Sequence, residues 1–364
     1  MRYDYLIVGA GLYGSMFAYI AKKKGYKCLV VEKRDCPGGF CRTSEKCGII
    51  VHNNGAHIFR TDSRKVWEFV NSKVSFTPFV NSPLANYKGK MYNLPFNMNT
   101  FKDLFGVTTP EEAKEKIKKT IEYNPSPSNL EEHCLNLIGR KLYEMFIKGY
   151  TEKQWGRKCS ELPASIIKRI PLRFTFDNNY FNERYQGIPD GGYNTLINSL
   201  LDGTKVIYNA DYNNDRYLLN TLANKVIYTG SIDKLFDYKF GRLDYRAVRF
   251  EHVYFDNIDN YQGNAVVNYT GKSVPYTRII EHKHFVRNNN CNGTVITKEY
   301  PTSLAKIDSP CYPINDKHNN DLYARYISYA KEFCPKIEFG GRLGEYKYYS
   351  MNDIIEKFID GKEN

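Results

Sequence analysis

The fold is decided by the opening stretch Tyr5-Leu6-Ile7-Val8-Gly9-Ala10-Gly11-Leu12-Tyr13-Gly14, an apolar run that ends in a glycine-rich turn. A second apolar run, Cys28-Leu29-Val30-Val31, ends on Glu32. Gly9 permits a tight turn, Gly11 lets the backbone approach a pyrophosphate, and Gly14 lets a helix pack closely on the strand. The helix N-terminus offers N–H groups to phosphates, and the Glu32 carboxylate can accept hydrogen bonds from a ribose. The stretch therefore predicts a strand–helix–strand unit that binds an adenine dinucleotide.

The composition predicts a folded protein with more than one domain. The chain has 364 residues, 42% of them hydrophobic, with 31 tyrosines and 21 phenylalanines. That length is large for a single core. No apolar stretch is long enough to span a bilayer, and the first strand leaves no room for a signal peptide. We therefore expect a cytoplasmic protein without membrane attachment.

Charge and cysteine content exclude several other classes of protein. The net charge is +12, but the lysines are scattered through Asn-rich sequence, so we expect no nucleic-acid partner. The nine cysteines include no CxxC pair, which favours reduced thiols over a metal site or disulfides. The arginines are better suited to a small polyanion.

The position of the other glycines favours FAD over NAD. Gly38-Gly39 follows Glu32 closely, and Gly340-Gly341-Arg342 comes shortly before a predicted closing helix at 351–360. Backbone N–H groups of the late turn could close over a pyrophosphate or an isoalloxazine. A hydride-transfer enzyme would instead carry a catalytic acid or base in a second domain after a complete dinucleotide-binding unit.

The order of predicted elements gives an α/β protein: a Rossmann-like FAD-binding domain with a helical insertion and an antiparallel β-sheet domain. Lys225-Val226-Ile227-Tyr228 and Ile337-Glu338-Phe339 are expected to return to the nucleotide-binding sheet as strands. The expected division is a discontinuous FAD-binding domain (1–75, 205–240 and 331–364), a helical domain (98–160) and an antiparallel sheet that binds substrate (76–97, 161–204 and 241–330).

Several strings in order along the chain resemble bacterial-type UDP-galactopyranose mutase, from residue 3 to about 355. They are Lys153-Gln154-Trp155-Gly156, Arg169-Ile170-Pro171-Leu172-Arg173-Phe174, Asp177-Asn178-Asn179-Tyr180-Phe181-Asn182, Tyr185-Gln186-Gly187-Ile188-Pro189, Gln262-Gly263-Asn264-Ala265-Val266-Val267-Asn268-Tyr269, Tyr276-Thr277-Arg278-Ile279-Ile280-Glu281-His282-Lys283 and Gly340-Gly341-Arg342-Leu343-Gly344.

The resemblance implies a homodimeric flavoenzyme that interconverts the pyranose and furanose forms of a UDP-sugar without net redox change. In that family, reduced FAD attacks the anomeric carbon through N5 and UDP leaves. Such chemistry needs no Ser/His or Cys/His pair, and the sequence offers no convincing one. It does need groups that hold a departing diphosphate, which suits arginine and tyrosine.

The resemblance also assigns roles to individual residues. The residues implied in catalysis are Arg278, Arg169, His57 and Arg60. Those implied in UDP-sugar binding are Asn81, Phe146, Tyr150, Thr151, Trp155, Arg169, Tyr180, Phe181, Asn268, Arg278, Tyr312 and Tyr348. Those implied in FAD binding are Gly9, Gly11, Gly14, Glu32, Lys33, Gly39, His57, Arg342, Tyr348 and Met351; no metal is expected.

Some positions depart from the family pattern. Arg60 stands where the family has histidine, Ser350 where it has aspartate, and Phe40 where asparagine is common. Arg60 and Ser350 both make the site more positive and reshape the sugar pocket, so the expected substrate is UDP-galactopyranose or a variant such as UDP-N-acetylgalactosamine.

Alternatives remain for single residues and for the whole chain. Phe146 fits a core stripe as well as a uridine pocket, and Arg278 fits either a surface ion pair or, with little acid nearby in sequence, a diphosphate site. The chain could also be an amine-oxidase-like FAD oxidoreductase on the same fold, or a non-catalytic flavoprotein that binds nucleotide sugars.

Overall fold

The computed structural model describes residues 2–167, 172–286, 291–303 and 310–361. Within these ranges the strands are β1 (Tyr3–Val8), β2 (Cys28–Val31), β3 (Thr43–Lys46), β4 (Ile49–His52), β5 (Phe59–Thr61), β6 (Phe76–Pro78), β7 (Leu84–Tyr87), β8 (Lys90–Asn93), β9 (Tyr185–Pro189), β10 (Lys205–Ile207), β11 (Ala223–Tyr228), β12 (Tyr245–Phe255), β13 (Val266–Tyr269), β14 (Arg278–Glu281), β15 (Thr294–Ser303), β16 (Tyr312–Pro313) and β17 (Ile337–Phe339).

The helices in the same ranges are α1 (Leu12–Lys23), α2 (Arg64–Asn71), α3 (Met98–Phe105), α4 (Pro110–Lys118), α5 (Leu130–Leu142), α6 (Gly149–Trp155), α7 (Tyr193–Leu201), α8 (Tyr212–Thr221), α9 (Ile232–Leu235), α10 (Lys317–Phe333), α11 (Gly341–Gly344) and α12 (Met351–Ile359). A π-helical turn, Tyr143–Lys148, joins α5 to α6.

The first sheet has five parallel strands in the order β10-β2-β1-β11-β17. The predicted strand–helix–strand start is confirmed, and so is the return of β11 and β17 to this sheet. All four residues of β2 are buried, as expected for a strand covered on both faces. The sheet aligns the carboxyl ends of its strands on one edge, where ligands bind in such folds.

The second large sheet has seven strands in the order β16-β12-β15-β14-β13-β7-β8. Its neighbours pair antiparallel, except that β13 and β7 run parallel. Its two longest strands, β12 and β15, pair antiparallel over ten residues, and β14 pairs with the other edge of β15. Smaller sheets, β3-β4 and β5-β9-β6, connect the two large ones.

The helical region has its own core. Thr109 caps α4 with a capping box, and α5 begins at a cap on Asn129. Buried residues of α3, α4, α5 and the π-helical turn pack together with side chains from β8. This region stands beside the seven-stranded sheet through β7 and β8.

Two stretches pack differently from the predicted division. We expected 161–204 to belong with the antiparallel sheet, but α7 packs its buried face, including Leu196 and Leu200, into the core around α1. Leu162 and Phe174 pack instead with the helical region. In both cases the apolar side chains pack into the nearest large core, although we expected their segment to belong with the antiparallel sheet. The three-part division as a whole stays a prediction.

The described part of the chain has neither a membrane-spanning helix nor a cluster of metal ligands. No helix in the described ranges has the length and apolar character that a membrane span requires. Over the same ranges, no group of three or more His, Cys, Asp or Glu side chains is arranged to hold a metal ion.

Candidate active site

A cleft opens at the carboxyl ends of β1, β2 and β11, and we call it the dinucleotide cleft. Its walls come from the first glycine turn, the end of β2, the turn at 38–41 and the segment around α11. The predicted cofactor residues that line it are Gly9, Gly11, Glu32, Lys33, Gly39, His57, Arg342 and Met351. Gly14 and Tyr348 lie outside its lining, so their role in cofactor binding stays a prediction.

The three glycines of the first turn have different structural roles. Gly9 has φ +104°, and a Cβ there would lie 2.3 Å from the Thr229 Oγ1 atom. A Cβ on Gly14 would lie 2.1 Å from the Gly9 carbonyl oxygen, so Gly14 is required for helix–strand packing. A Cβ on Gly11 would meet only Gly39 Cα, at 3.7 Å. Gly11 therefore keeps a space open on the cleft side, as close approach of a pyrophosphate requires.

The N-terminus of α1 and the Glu32 carboxylate suit different parts of a dinucleotide, the phosphates and a ribose. No side chain caps the N-terminus of α1, and its first turn contains no acid. The Glu32 carboxylate is 3% exposed and accepts hydrogen bonds from the backbone N–H groups of Ala10 (2.9 Å) and Arg34 (3.0 Å). It holds the two glycine-bearing segments together and still has lone pairs for a ribose hydroxyl. The turn, the helix end and the carboxylate thus fit a dinucleotide.

Arg342, on α11, lies in the wall of the cleft among aromatic rings. Its guanidinium lies 4.6 Å from the ring centre of Tyr348 and 5.7 Å from that of Phe40. Its Nε–H donates to the Tyr349 carbonyl oxygen at 2.8 Å. Phe40, one of the departures, therefore supplies a ring to this cation where an asparagine would supply a hydrogen-bonding amide.

His57 lies in the lining of the dinucleotide cleft, between Arg342 and Arg278. Its Nδ1 is 2.6 Å from the Gly55 carbonyl oxygen, and since a carbonyl only accepts, the proton is assigned to Nδ1. This leaves Nε2 as an acceptor. The pKa of His57 is lowered to about 4, mainly by burial and also by the positive charges of Arg342 and Arg278, while the hydrogen bond to Gly55 acts in the opposite direction. The imidazole is therefore neutral at physiological pH.

We expect His57 to make the fold acid-sensitive. Its pKa falls from 6.5 to about 4 on folding, so between these values the unfolded chain binds a proton that the folded chain does not. Stability is therefore lost as pH falls through this window, by up to about 1.4 kcal/mol per pH unit. Denaturant unfolding of the His57→Gln variant between pH 4 and 7 should show a shallower dependence. An exposed-site control, His318→Gln, should keep the wild-type slope; the same slope in His57→Gln would contradict this role.

Arg278 is paired with an acid that the sequence did not suggest. It is the first residue of β14, and directly opposite on β15 lies Glu299, whose carboxylate accepts from the Arg278 Nε–H. The Glu299 side chain is 5% exposed and that of Arg278 is 29% exposed. Burial lowers the pKa of Arg278, but Glu299 more than offsets this and raises it. The expectation of little acid near Arg278 is therefore wrong, because sheet register brings Glu299 across from it.

Three predicted tyrosines surround this arginine. Burial raises the pKa values of Tyr150, Tyr180 and Tyr312, that of Tyr312 to about 12, and in each case the Arg278 charge acts in the opposite direction. The Tyr312 ring centre is 6.1 Å from that of Tyr348. Their neutral hydroxyls provide donors beside a cation, a combination suited to phosphate oxygens.

Arg60 is held at one side of this site. Its Nη1 atom donates to Glu183 at 2.6 Å, and its guanidinium lies 4.2 Å from the ring centre of Phe181. The positive charge that Arg60 adds is thus offset locally by Glu183. Ser350 has a separate role, because its hydroxyl accepts from the Asp353 N–H at 3.1 Å and caps α12. The expected gain of positive charge is therefore smaller than the sequence indicated.

The residues that resemble a uridine pocket lie along the π-helical turn and α6. Phe146 is 3% exposed and packs against Tyr92 and Phe96, so it lies in the helical core. Thr151 is also buried, whereas Tyr150 and Trp155 are partly exposed. Contact of any of these side chains with a nucleotide stays a proposal.

Two asparagines lie near the arginine. The Asn81 carbonyl oxygen accepts from the Tyr180 N–H at 2.7 Å, which fixes that tyrosine. Asn268 lies opposite Arg278 on β13, and its Oδ1 atom is buried without a partner among the described residues. An orphaned acceptor facing a charged site favours a ligand that supplies the missing donor. Arg169 lies outside the described residues.

Glu299 and Glu183 are the site residues that sequence reasoning missed. Each is the partner of an arginine that the sequence did indicate. Cross-strand pairing of opposite charges could have suggested Glu299, since alternation along β15 places it on the face of Arg278. Glu183 lies in a loop, where no strand pairing predicts its contact with Arg60.

Comparisons with known proteins agree with this geometry. The sequence profile of UDP-galactopyranose mutase matches residues 145–348, and that of an NAD(P)-binding Rossmann-like domain matches residues 7–72. In fold, the chain is similar to a crystal structure of reduced UDP-galactopyranose mutase, with a TM-score of 0.73 at 14% identity over 98% of this chain and 94% of that one. A putrescine oxidase shares the fold at a TM-score of 0.53, with 12% identity over 99% and 98% of the two chains.

Relatives at higher identity cover nearly the whole chain. It is 39% identical to a probable UDP-galactopyranose mutase of Klebsiella pneumoniae, over 97% of this chain and 92% of that protein. It is 37% identical to dTDP-fucopyranose mutase of Escherichia coli, over 98% and 96% respectively. These matches favour an isomerase over an oxidoreductase or a non-catalytic binding protein. The chain belongs to the UDP-galactopyranose mutase family.

Proposed function

We propose that this protein uses reduced FAD to interconvert the pyranose and furanose forms of UDP-galactose or UDP-N-acetylgalactosamine. Family membership supports the reaction class, and the dinucleotide cleft supports the cofactor. When bound and reduced, the flavin supplies a nucleophilic nitrogen for the anomeric carbon of the sugar. The protein must then hold the leaving UDP close to that nitrogen.

The observation that carries the proposal is the position of His57. It lines the dinucleotide cleft, and it is hydrogen-bonded to Gly55, where a Cβ would lie 3.7 Å from the Arg278 Nη2 atom. One imidazole thus connects the cleft to the arginine that resembles the family's diphosphate ligand. A sugar whose diphosphate binds Arg278 would lie next to the inner end of the cofactor.

The chain's own residues suit a departing diphosphate. Glu299 takes the Arg278 Nε–H, so the terminal nitrogens of the guanidinium can serve phosphate oxygens. The hydroxyls of Tyr180 and Tyr312 stay protonated, because burial raises their pKa values, and can donate to the same oxygens. The neutral His57 Nε2 can accept a hydrogen bond from a sugar hydroxyl or from the cofactor.

The sugar itself is the less constrained part of the proposal. Arg60, fixed by Glu183 and Phe181, presents a guanidinium where the family has histidine. A guanidinium donor can bind an acetamido carbonyl, which favours the 2-acetamido sugar. The relative that acts on dTDP-fucopyranose adds a third candidate class.

Anaerobic chromatography of reaction mixtures tests both parts. Dithionite-reduced enzyme should convert at least one of UDP-galactopyranose, UDP-N-acetylgalactosamine and dTDP-fucopyranose to its furanose form, and oxidised enzyme should convert none. Furanose formation without reduction, or no turnover of any of them by reduced, FAD-loaded enzyme, would reject the proposal.

We predict that Arg60→His lowers the rate with the acetamido sugar relative to the plain sugar by about ten- to a hundredfold. The reason is the loss of one charged hydrogen bond, worth roughly 1.5–3 kcal/mol. The matched control is Arg184→His, a nearby exposed arginine beside Tyr185. Equal relative rates in the wild type and Arg60→His would remove Arg60 from sugar selection.

A further inference from the structure

Lys153 is a half-buried lysine whose partners are backbone carbonyls. It lies on α6, between Thr151 and Trp155. Its Nζ donates to the carbonyl oxygens of Tyr269 (2.7 Å), Tyr276 (2.9 Å) and Val274 (3.3 Å). Among the described residues it forms no ion pair, so its three N–H donors are matched to three acceptors on a single segment.

That segment is the connection between β13 and β14, which we call the 269–276 turn. Asn268 immediately precedes it, and Arg278 follows it by two residues. The turn is closed by a hydrogen bond from the Tyr269 N–H to the Thr277 carbonyl oxygen at 2.8 Å, and the Tyr269 and Tyr276 rings meet edge to face. Its position therefore sets where the arginine-bearing strand begins.

A buried ammonium without an acid is costly unless hydrogen bonds replace its hydration. Burial lowers the pKa of Lys153 to about 8, so the amine still carries its proton at neutral pH and keeps all three donors. Nothing in the proposed reaction uses this amine. A half-buried ammonium held by three carbonyl oxygens of one turn thus points to a structural link between α6 and that turn.

A second cation holds the other end of α6. Arg246 on β12 donates from Nε (3.0 Å) and Nη2 (2.6 Å) to the Gln154 carbonyl oxygen. At the start of the helix, a Cβ on Gly149 would lie 2.4 Å from the Thr270 carbonyl oxygen, so helix and turn are in close contact there. The helix is therefore fixed to the sheet at both ends.

We propose that Lys153 is a positioning residue that locks α6, with Tyr150, Thr151 and Trp155, to the 269–276 turn, which connects the strands that carry Asn268 and Arg278. It couples the side of the site that resembles a uridine pocket to the side that resembles a diphosphate site. The nucleotide part of this inference rests on the proposed function. The mechanical link between helix and turn rests on the contacts alone.

Two measurements on FAD-loaded protein test the link without turnover: UDP affinity by calorimetry and amide hydrogen exchange of 149–156 and 269–277. Lys153→Met should raise the Kd for UDP by about tenfold or more. It should also accelerate exchange in both segments, while the FAD content stays as in the wild type. Lys153→Arg, which keeps a charge and several donors, should recover part of the affinity. The control Lys158→Met, at an exposed site three residues beyond Trp155, should change neither.

If Lys153→Met does not fold, Arg246→Met tests the second anchor and should show the same faster exchange in α6 with weaker UDP binding. Wild-type UDP affinity in Lys153→Met or Arg246→Met, or faster exchange spread evenly over the protein, overturns the proposal. Wild-type protein that binds UDP without turnover would defeat the proposed function and leave the link intact. Wild-type protein that binds no UDP would defeat the nucleotide-positioning role.

Discussion

Arg278→Ala is expected to lower kcat/KM by at least about a hundredfold, with most of the loss in affinity for UDP. The variant removes the guanidinium fork and leaves the Glu299 carboxylate, only 5% exposed, without its partner. Truncating one partner of a buried charge pair costs about 2–5 kcal/mol, and here the remaining anion also repels the diphosphate. Calorimetry with UDP and the initial rate of furanose formation measure the two effects.

The double variant Arg278→Ala/Glu299→Gln separates the two causes. Neutralising Glu299 removes the repulsion, so UDP affinity should rise above that of Arg278→Ala while staying below that of the wild type. Arg278→Lys keeps the charge but not the fork, and should lose less than alanine does. A double variant as weak as Arg278→Ala would show that Glu299 does not act on the diphosphate.

Gly14→Ala should lower the stability of the apoprotein, whereas Gly11→Ala should lower its affinity for FAD. The methyl group of Gly14→Ala would overlap the Gly9 carbonyl oxygen, so the apoprotein should lose about 1–3 kcal/mol of folding free energy. The methyl group of Gly11→Ala would meet only Gly39 Cα and otherwise face the dinucleotide cleft. That apoprotein should fold normally but bind FAD at least about tenfold more weakly, since even 1.4 kcal/mol of lost contact has this effect.

Thermal unfolding of the two apoproteins and fluorescence titration with FAD distinguish these outcomes. Gly11 and Gly14 do not lie at positive φ, so a methyl group there acts through the space that it fills. Gly271→Ala, whose Cβ would meet only the Ser273 Oγ atom at 3.7 Å, is the matched control and should change neither stability nor FAD binding. If Gly11→Ala bound FAD as the wild type does, the cofactor could not pass close to this turn, and its placement in the cleft would be wrong.

Local patterns predicted the parts of the fold that local physics determines. The glycine turn, the buried β2 strand and the closing helix α12 each follow from a few consecutive residues, and each appears in the structure. The returning strands β11 and β17 were also predictable, because apolar runs bounded by glycines favour buried parallel strands. The packing of α7 against α1 was not, since its apolar face fits either large core equally well.

The same limit applies to the candidate site. Arginines and tyrosines could be identified by their strings, but their partners depend on register. Glu299 reaches Arg278 only because β14 and β15 pair in one particular alignment, and Glu183 reaches Arg60 through a loop. Ser350 read as a lost charge in the sequence, whereas the structure uses it as a helix cap. The effect of Arg60 and Ser350 on the charge of the site therefore depends on tertiary contacts that the sequence does not show.

In the proposed reaction the flavin is needed in reduced form but is not consumed. Flavin absorbance and furanose product can be followed together in one anaerobic reaction, after a single reduction of the enzyme. We expect many product molecules per flavin while the absorbance stays that of the reduced form. At most one product per flavin, with the absorbance returning to the oxidised form, would contradict it and favour an oxidoreductase.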